Sequence, residues 1–152
     1  MDIAEKEELL RQADEEFWKW IKRDRVYQLY FYSLIKWKQV ELAGKKLSDC
    51  FAGRSVAVYG AGMVGELVCK ELIKDQIDVR YVLDRTGIGS VRCDNKELRV
   101  ISIDDASEKV DYILVSVTPY IDEVEKDLQR LAFSTCVLTI DDVIEKLLGE
   151  SE

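Results

Sequence analysis

The chain has 152 residues, 47% apolar and 34% charged, which suffices for one buried core and excludes a disordered composition. Its 22 basic and 30 acidic side chains give a net charge of −8, unevenly spread: residues 1–54 carry 11 basic and 10 acidic groups, residues 55–152 carry 11 and 20. The acidic second part disfavours nucleic-acid binding, which rests on phosphate neutralisation by Lys and Arg, and the absence of histidine removes His-based nucleophile pairs, His zinc ligands and imidazole bases.

The first 53 residues form an N-terminal helical extension. Leu10, Ala13, Phe17 and Ile21 recur at helical spacing, which predicts a helix from Asp2 to about Lys22. A second helix is predicted from about Asp24 to Leu42, ending near Gly44. It is apolar nearly all round, so it is expected to be buried on more than one side. Its second side is to be covered by the first helix, in a hairpin, or by another chain. The acidic N-terminus, Met1 to Glu8, does not have the pattern of a signal peptide, and no apolar run approaches membrane-spanning length. The expected compartment is the cytoplasm.

Residues 54–149 read as a Rossmann-like nucleotide-binding domain. Ser55 to Tyr59 is a short apolar strand, followed by a helix from Met63 to Lys74. Val79 to Leu83 is a second strand, Arg85 to Lys96 a polar loop, and Leu98 to Ile101 a short third strand. Tyr112 to Val117 is the fourth strand, Pro119 opens a helix to Leu131, and Cys136 to Thr139 is the fifth strand. Asp141 is expected to cap a last helix. The alternation predicts an α/β fold with a minimal parallel sheet in the order 3-2-1-4-5.

One motif carries chemistry. Gly60-Ala61-Gly62-Met63-Val64-Gly65 matches the G-x-G-x-x-G turn between a strand and a helix. Gly60 permits the turn, Gly62 lets a diphosphate approach the backbone, and Gly65 lets helix and strand pack closely. Asp84 ends the second strand 19 residues after Gly65, where a carboxylate suits the ribose hydroxyls of NAD and repels the 2′-phosphate of NADP. Arg85 beside it suits a phosphate or an adenine face. Ser116 and Thr118, with Tyr120, fall at the end of the fourth strand, where such sheets bind ligands. Glu66, in the first helical turn, counts against an anion there.

Other features are discounted. Tyr32 and Lys36 match Tyr-x-x-x-Lys but lie before the glycine turn inside an apolar helix. Asp104-Asp105 and Asp141-Asp142 read as caps rather than metal ligands. Cys50, Cys69, Cys93 and Cys136 lack metal-ligand spacing and read as reduced thiols. Cys69 and Cys136 are assigned to the core, and Cys93, in the polar loop, is expected to be the most exposed.

The segments Val56 to Asp84, Asp111 to Thr118 and Val137 to Ile144, with Lys45-Lys46-Leu47-Ser48-Asp49 in the lead-in from Trp37 to Phe51, resemble small Rossmann-like domains of bacterial cell-surface polysaccharide and teichoic-acid proteins. These are the nucleoside-diphosphate-sugar epimerase-like members of the NAD(P)-binding Rossmann superfamily. The resemblance covers about Ile35 to Leu148. It implies a nucleotide ligand, NAD(H) or a nucleotide sugar, in a polysaccharide pathway, and supplies no catalytic residues. Such domains occur alone or fused to glycosyltransferases, which implies a glycosyltransferase partner, while the apolar N-terminal helices themselves point to a homodimer or to a hairpin. The strand–turn–helix unit is similar also to the nucleotide-sugar domain of sugar acetyltransferases and the CoA-binding domain of acyl-CoA synthetases. Three readings therefore stand: a nucleotide-binding module without a complete catalytic apparatus, an interaction or regulatory subunit that binds no nucleotide, and a CoA-binding module.

Overall fold

The computed structural model describes residues 2–116 and 121–149. It opens with one helix, α1 (Ile3–Leu42), 40 residues long, which at 1.5 Å per residue is about 60 Å. This corrects the two-helix expectation: neither Gly nor Pro interrupts the segment, and the exposed Asp24 costs too little helix propensity to break it. Asp2 and Glu5 exchange hydrogen bonds as a capping box at its start. At its end Gly44 takes φ 78°, and the Gly44 and Lys45 N–H groups return to the Glu41 and Val40 carbonyls in a Schellman closure.

Six strands follow: β1 (Ser55–Tyr59), β2 (Asp78–Leu83), β3 (Ser90–Cys93), β4 (Lys96–Ile101), β5 (Tyr112–Val115) and β6 (Cys136–Thr139). Helices α2 (Met63–Lys74), α3 (Ile121–Leu128) and α4 (Ile140–Gly149) alternate with them. The sheet order is β3-β4-β2-β1-β5-β6, parallel except for the β3–β4 pair. The fold is Rossmann-like, but the expected five-strand order 3-2-1-4-5 is incomplete. The segment expected as a polar loop makes a hairpin through Asp94 and Asn95, with Asp94 at φ 51°. Val91, Cys93, Leu98 and Val100 alternate inward along it while Arg92 and Arg99 point out, the period of a half-buried ribbon.

Each sheet face has its own apolar layer. On one, α2, α4 and the end of α1 bury Val56, Val58, Val68, Leu72, Ile144 and Trp37. On the other, Ala57, Tyr59, Tyr81, Ile113 and Val115 meet Val124 of α3. The end of α1 is anchored to α4 by Ser33, whose hydroxyl donates to Asp141 Oδ1 at 2.8 Å, and by Lys45, which donates to the Leu147 carbonyl at 2.7 Å. Asp141 is thus a docking residue and not the cap: Thr139 and Asp142 exchange hydrogen bonds at the start of α4. No helix among the described residues is long and apolar enough to cross a membrane.

Cys69 is buried in α2 as expected, and two other cysteines depart from expectation. Cys93 is buried in the hairpin and Cys136 is exposed on the edge strand β6. Burial pushes the Cys69 thiol up to about 12 and also raises that of Cys93, so both stay protonated near neutrality. A thiol reagent added to native protein is expected to modify Cys136 before Cys69 or Cys93. Mass mapping of the first adduct checks this, and initial labelling at Cys93 would show that the hairpin opens readily.

Candidate functional site

The glycine turn sits at the carboxyl end of β1, between two neighbouring strands. Gly60 has φ 114°, a conformation L side chains rarely adopt, and its N–H donates to the Leu83 carbonyl at 2.8 Å. Gly65 lies directly under this turn. A Cβ built on it would stand 1.9 Å from the Gly60 oxygen, 2.8 Å from its carbonyl carbon and 3.1 Å from Ser116 Oγ. These two glycines are therefore demanded by the protein's own packing.

Gly62 is different. It caps α2 in ordinary extended backbone, φ −77° and ψ −170°, with no side-chain capping bond. A Cβ there would meet nothing within 4 Å. The first turn of α2 beside it carries N–H groups and the positive end of the helix dipole. Met63 beside it is 89% exposed, while Ala61 and Val64 pack against the core. Glu66 is drawn sideways along α2 into an ion pair with Lys70 at 2.9 Å.

Asp84 faces the turn from the end of β2. Its Oδ2 accepts from the Ala61 N–H at 3.1 Å, and its Oδ1 from the Thr86 N–H and hydroxyl at 3.1 and 3.2 Å. The carboxylate thus braces the glycine turn, and Oδ2, which accepts one bond where Oδ1 accepts two, retains further acceptor capacity. Ser116 is buried, its hydroxyl donating to the Tyr59 carbonyl at 2.8 Å behind the turn. Thr118 and Tyr120 lie outside the described residues.

Arg85 points the other way. Its Nε donates to Asp127 Oδ2 at 2.8 Å, and its Nη1 stands 3.7 Å from Glu123. Asp127 is the centre of a cluster that sequence reasoning missed. It is buried on α3, accepts from the Tyr59 hydroxyl at 2.9 Å and from Arg130 at 3.2 Å, and Arg130 reaches on to Asp104. Burial works against the Asp127 charge, but the Arg85 and Tyr59 hydrogen bonds outweigh it and hold the carboxyl below the usual aspartate range. Burial, with the Asp127 contact, pushes the Tyr59 phenol up to about 12, so it donates a proton to a hydrogen bond and is no base near neutrality. The signal was present in the sequence: Ile121, Val124, Asp127 and Leu128 share a face of α3, and an acid on an apolar face needs partners.

A cavity of about 360 Å³ lies between α1 and the first turn of α3, with Lys22 and Arg25 facing Asp122 and Glu123. Among the described residues no group of acidic or thiol side chains forms a metal site.

No family model matches the chain, and no curated protein matches it. Among solved structures, a dimeric ketopantoate reductase from Staphylococcus aureus aligns at 24% identity with a TM-score of 0.43, over 56% of this chain and 32% of its own. The match thus spans about a third of that enzyme. A likeness this slight carries no argument, and the Rossmann-like fold rests on the sheet topology described above.

Proposed function

We propose that the glycine turn holds the diphosphate of a small nucleotide, NAD(H) or a nucleotide sugar. The observation that carries this is the space over Gly62. Gly60 and Gly65 are explained by the fold, whereas among the described residues nothing comes within 4 Å of a Cβ at Gly62. That space lies at a helix N-terminus, where N–H groups and the dipole favour an anion. Asp84, with acceptor capacity left on Oδ2, stands where a ribose would follow the diphosphate. The resemblance to surface-polysaccharide proteins makes a nucleotide sugar the second ligand class.

The reading as an interaction module without a nucleotide is favoured by a different observation. Asp84, Arg85 and Ser116, three of the polar side chains expected on the ligand, all have intramolecular partners. Asp84→Ala is consequently a poor test, because it also unbraces the turn.

Gly62→Val is the better one. Its backbone angles suit valine, its Cβ meets no neighbour among the described residues, and putting valine in place of glycine at a helix N-cap costs the fold about 1 kcal/mol. Calorimetric titration with NAD, NADP, UDP-glucose, CDP-glycerol and CoA is expected to show binding of a diphosphate ligand to the native protein. The same ligand should fail to bind Gly62→Val, whose thermal unfolding stays near the native one. Failure of all five to bind the native protein at millimolar concentration overturns the nucleotide reading in favour of the interaction module.

A further inference from the structure

We propose that α1 pairs with α1 of a second copy of this chain as an antiparallel coiled coil, in the register that sets Lys6 of each helix against Asp24 of the other. The proposal is independent of the nucleotide reading. A seven-residue repeat runs along the helix before it reaches the body. Ile3, Leu10, Phe17 and Phe31 occupy its first core position, where Asp24 also falls. Ala13, Trp20, Tyr27 and Leu34 occupy the second, where Lys6 also falls. This stripe is exposed: Phe17, Trp20, Tyr27 and Phe31 are 57%, 61%, 64% and 66% accessible. The helix docks on its own domain by another side, through Ser33, Trp37 and Val40, and at 3.6 residues per turn that side lies well round the helix from the stripe. The hairpin that would have covered the stripe is excluded, because α1 is one continuous rod.

The two charges in the stripe choose the occupant and its direction. In a parallel, in-register pair, Asp24 faces Asp24 and Lys6 faces Lys6, each a like-charge layer inside an apolar seam. In an antiparallel pair with Asp24 opposite Lys6, both charges are matched twice. The same register sets Ile3 against Tyr27, Leu10 against Trp20, and the small Ala13 against the large Phe17. Asp14 and Glu16 approach their copies near the dyad, but outside the seam, where water screens the repulsion. A charge pair within a coiled-coil seam adds little affinity and mainly specifies register. The overlap also ends at Tyr27, near where α1 meets α3 around Val26, Leu29 and Ile121. The partner helix thus covers the stripe from Ile3 to Tyr27, and Phe31 and Leu34 lie beyond the overlap.

Sedimentation of the full-length protein tests this through charge reversal. The native chain is expected to be a dimer at tens of micromolar. Lys6→Glu alone creates two Glu–Asp layers, and Asp24→Lys alone creates two Lys–Lys layers. Each is expected to weaken self-association by roughly a hundredfold, the scale of like-charge juxtaposition at an interface. An equimolar mixture of the two variants is expected to recover the dimer as a 1:1 heterodimer, since every seam charge is then matched. Recovery on mixing shows that both variants are folded. A monomeric native chain overturns the proposal and leaves the stripe to a different protein. So does a dimer that neither reversal weakens, which places the interface elsewhere, or two weakened variants that do not recover on mixing, which rejects this register.

Discussion

Gly65→Ala is expected to lower the stability of the protein by about 2–3 kcal/mol, the cost of forcing extra volume into a packed site. The new methyl would stand 1.9 Å from the Gly60 oxygen and 2.8 Å from its carbonyl carbon. Both obstacles are backbone, so no side-chain rotation relieves the overlap, and α2 must move away from β1. Backbone against backbone at this distance puts the gross cost at about 3–4 kcal/mol, above the usual overpacking range, and alanine's helix propensity, about 1 kcal/mol better than glycine's, brings it down to the net figure above. For a chain of this size the loss corresponds to a fall in Tm of roughly 4–12 °C. Thermal and urea unfolding of the two proteins check it, and an unchanged midpoint would mean that helix and strand separate freely here. Because the displaced helix carries the N–H groups of the turn, ligand binding should decline together with stability. The Gly62→Val variant is expected to separate the two.

The second large effect is at Asp127. Replacement by alanine takes the acceptor from the buried Tyr59 hydroxyl and from the guanidinium groups of Arg85 and Arg130. The side chains of Arg85 and Arg130 are more than half exposed and regain water, so most of the cost is the stranded phenol. An unsatisfied buried donor costs about 1–3 kcal/mol, and the lost charge-assisted bonds bring the expected destabilisation to about 3 kcal/mol. Adding Tyr59→Phe should recover part of it, since the stranded hydroxyl goes too. Strict additivity of the two substitutions in urea unfolding would show that they are not coupled.

The pH dependence of this cluster has a definite sign. The Asp127 carboxyl is held below its ordinary value in the folded protein. Its contribution is therefore complete above the unfolded value, about 3.9, and is lost as pH falls through the lower folded one. The stability gap between native protein and Asp127→Ala should narrow in that acid range. At the other end, the Tyr59 phenol is raised to about 12. Its contribution is complete below the unfolded value, about 10, and is lost as pH rises from there toward 12. Burial is the first cause of that shift, so Asp127→Ala should lower the phenol's pKa only in part.

The strands and helices around the glycine turn were legible because each is a local pattern. Ser55 to Tyr59 is a continuous apolar run, Met63 to Lys74 has helical periodicity, and the glycines fall between them. The β3–β4 hairpin was legible in principle, through the alternation of Val91, Cys93, Leu98 and Val100 about Asp94-Asn95. Its charged outward residues masked that period, which inverted the expected exposure of Cys93, whereas Cys136 is exposed because β6 is an edge strand. The α1 rod shows the same limit from the other side. The heptad stripe was in the sequence, but whether the chain folded back at Asp24 depended on long-range packing, and the body contacts α1 too close to its end to bend it. What only the tertiary structure decided is how the charged residues are spent. Asp84 braces the turn, Arg85 turns to Asp127, and Tyr59 shares that carboxylate with Arg130 across 68 positions of chain between Tyr59 and Asp127. Hydrogen-bond partners of a folded core are chosen by proximity in space and the cost of leaving a buried polar group alone, and neither is a property of the local sequence.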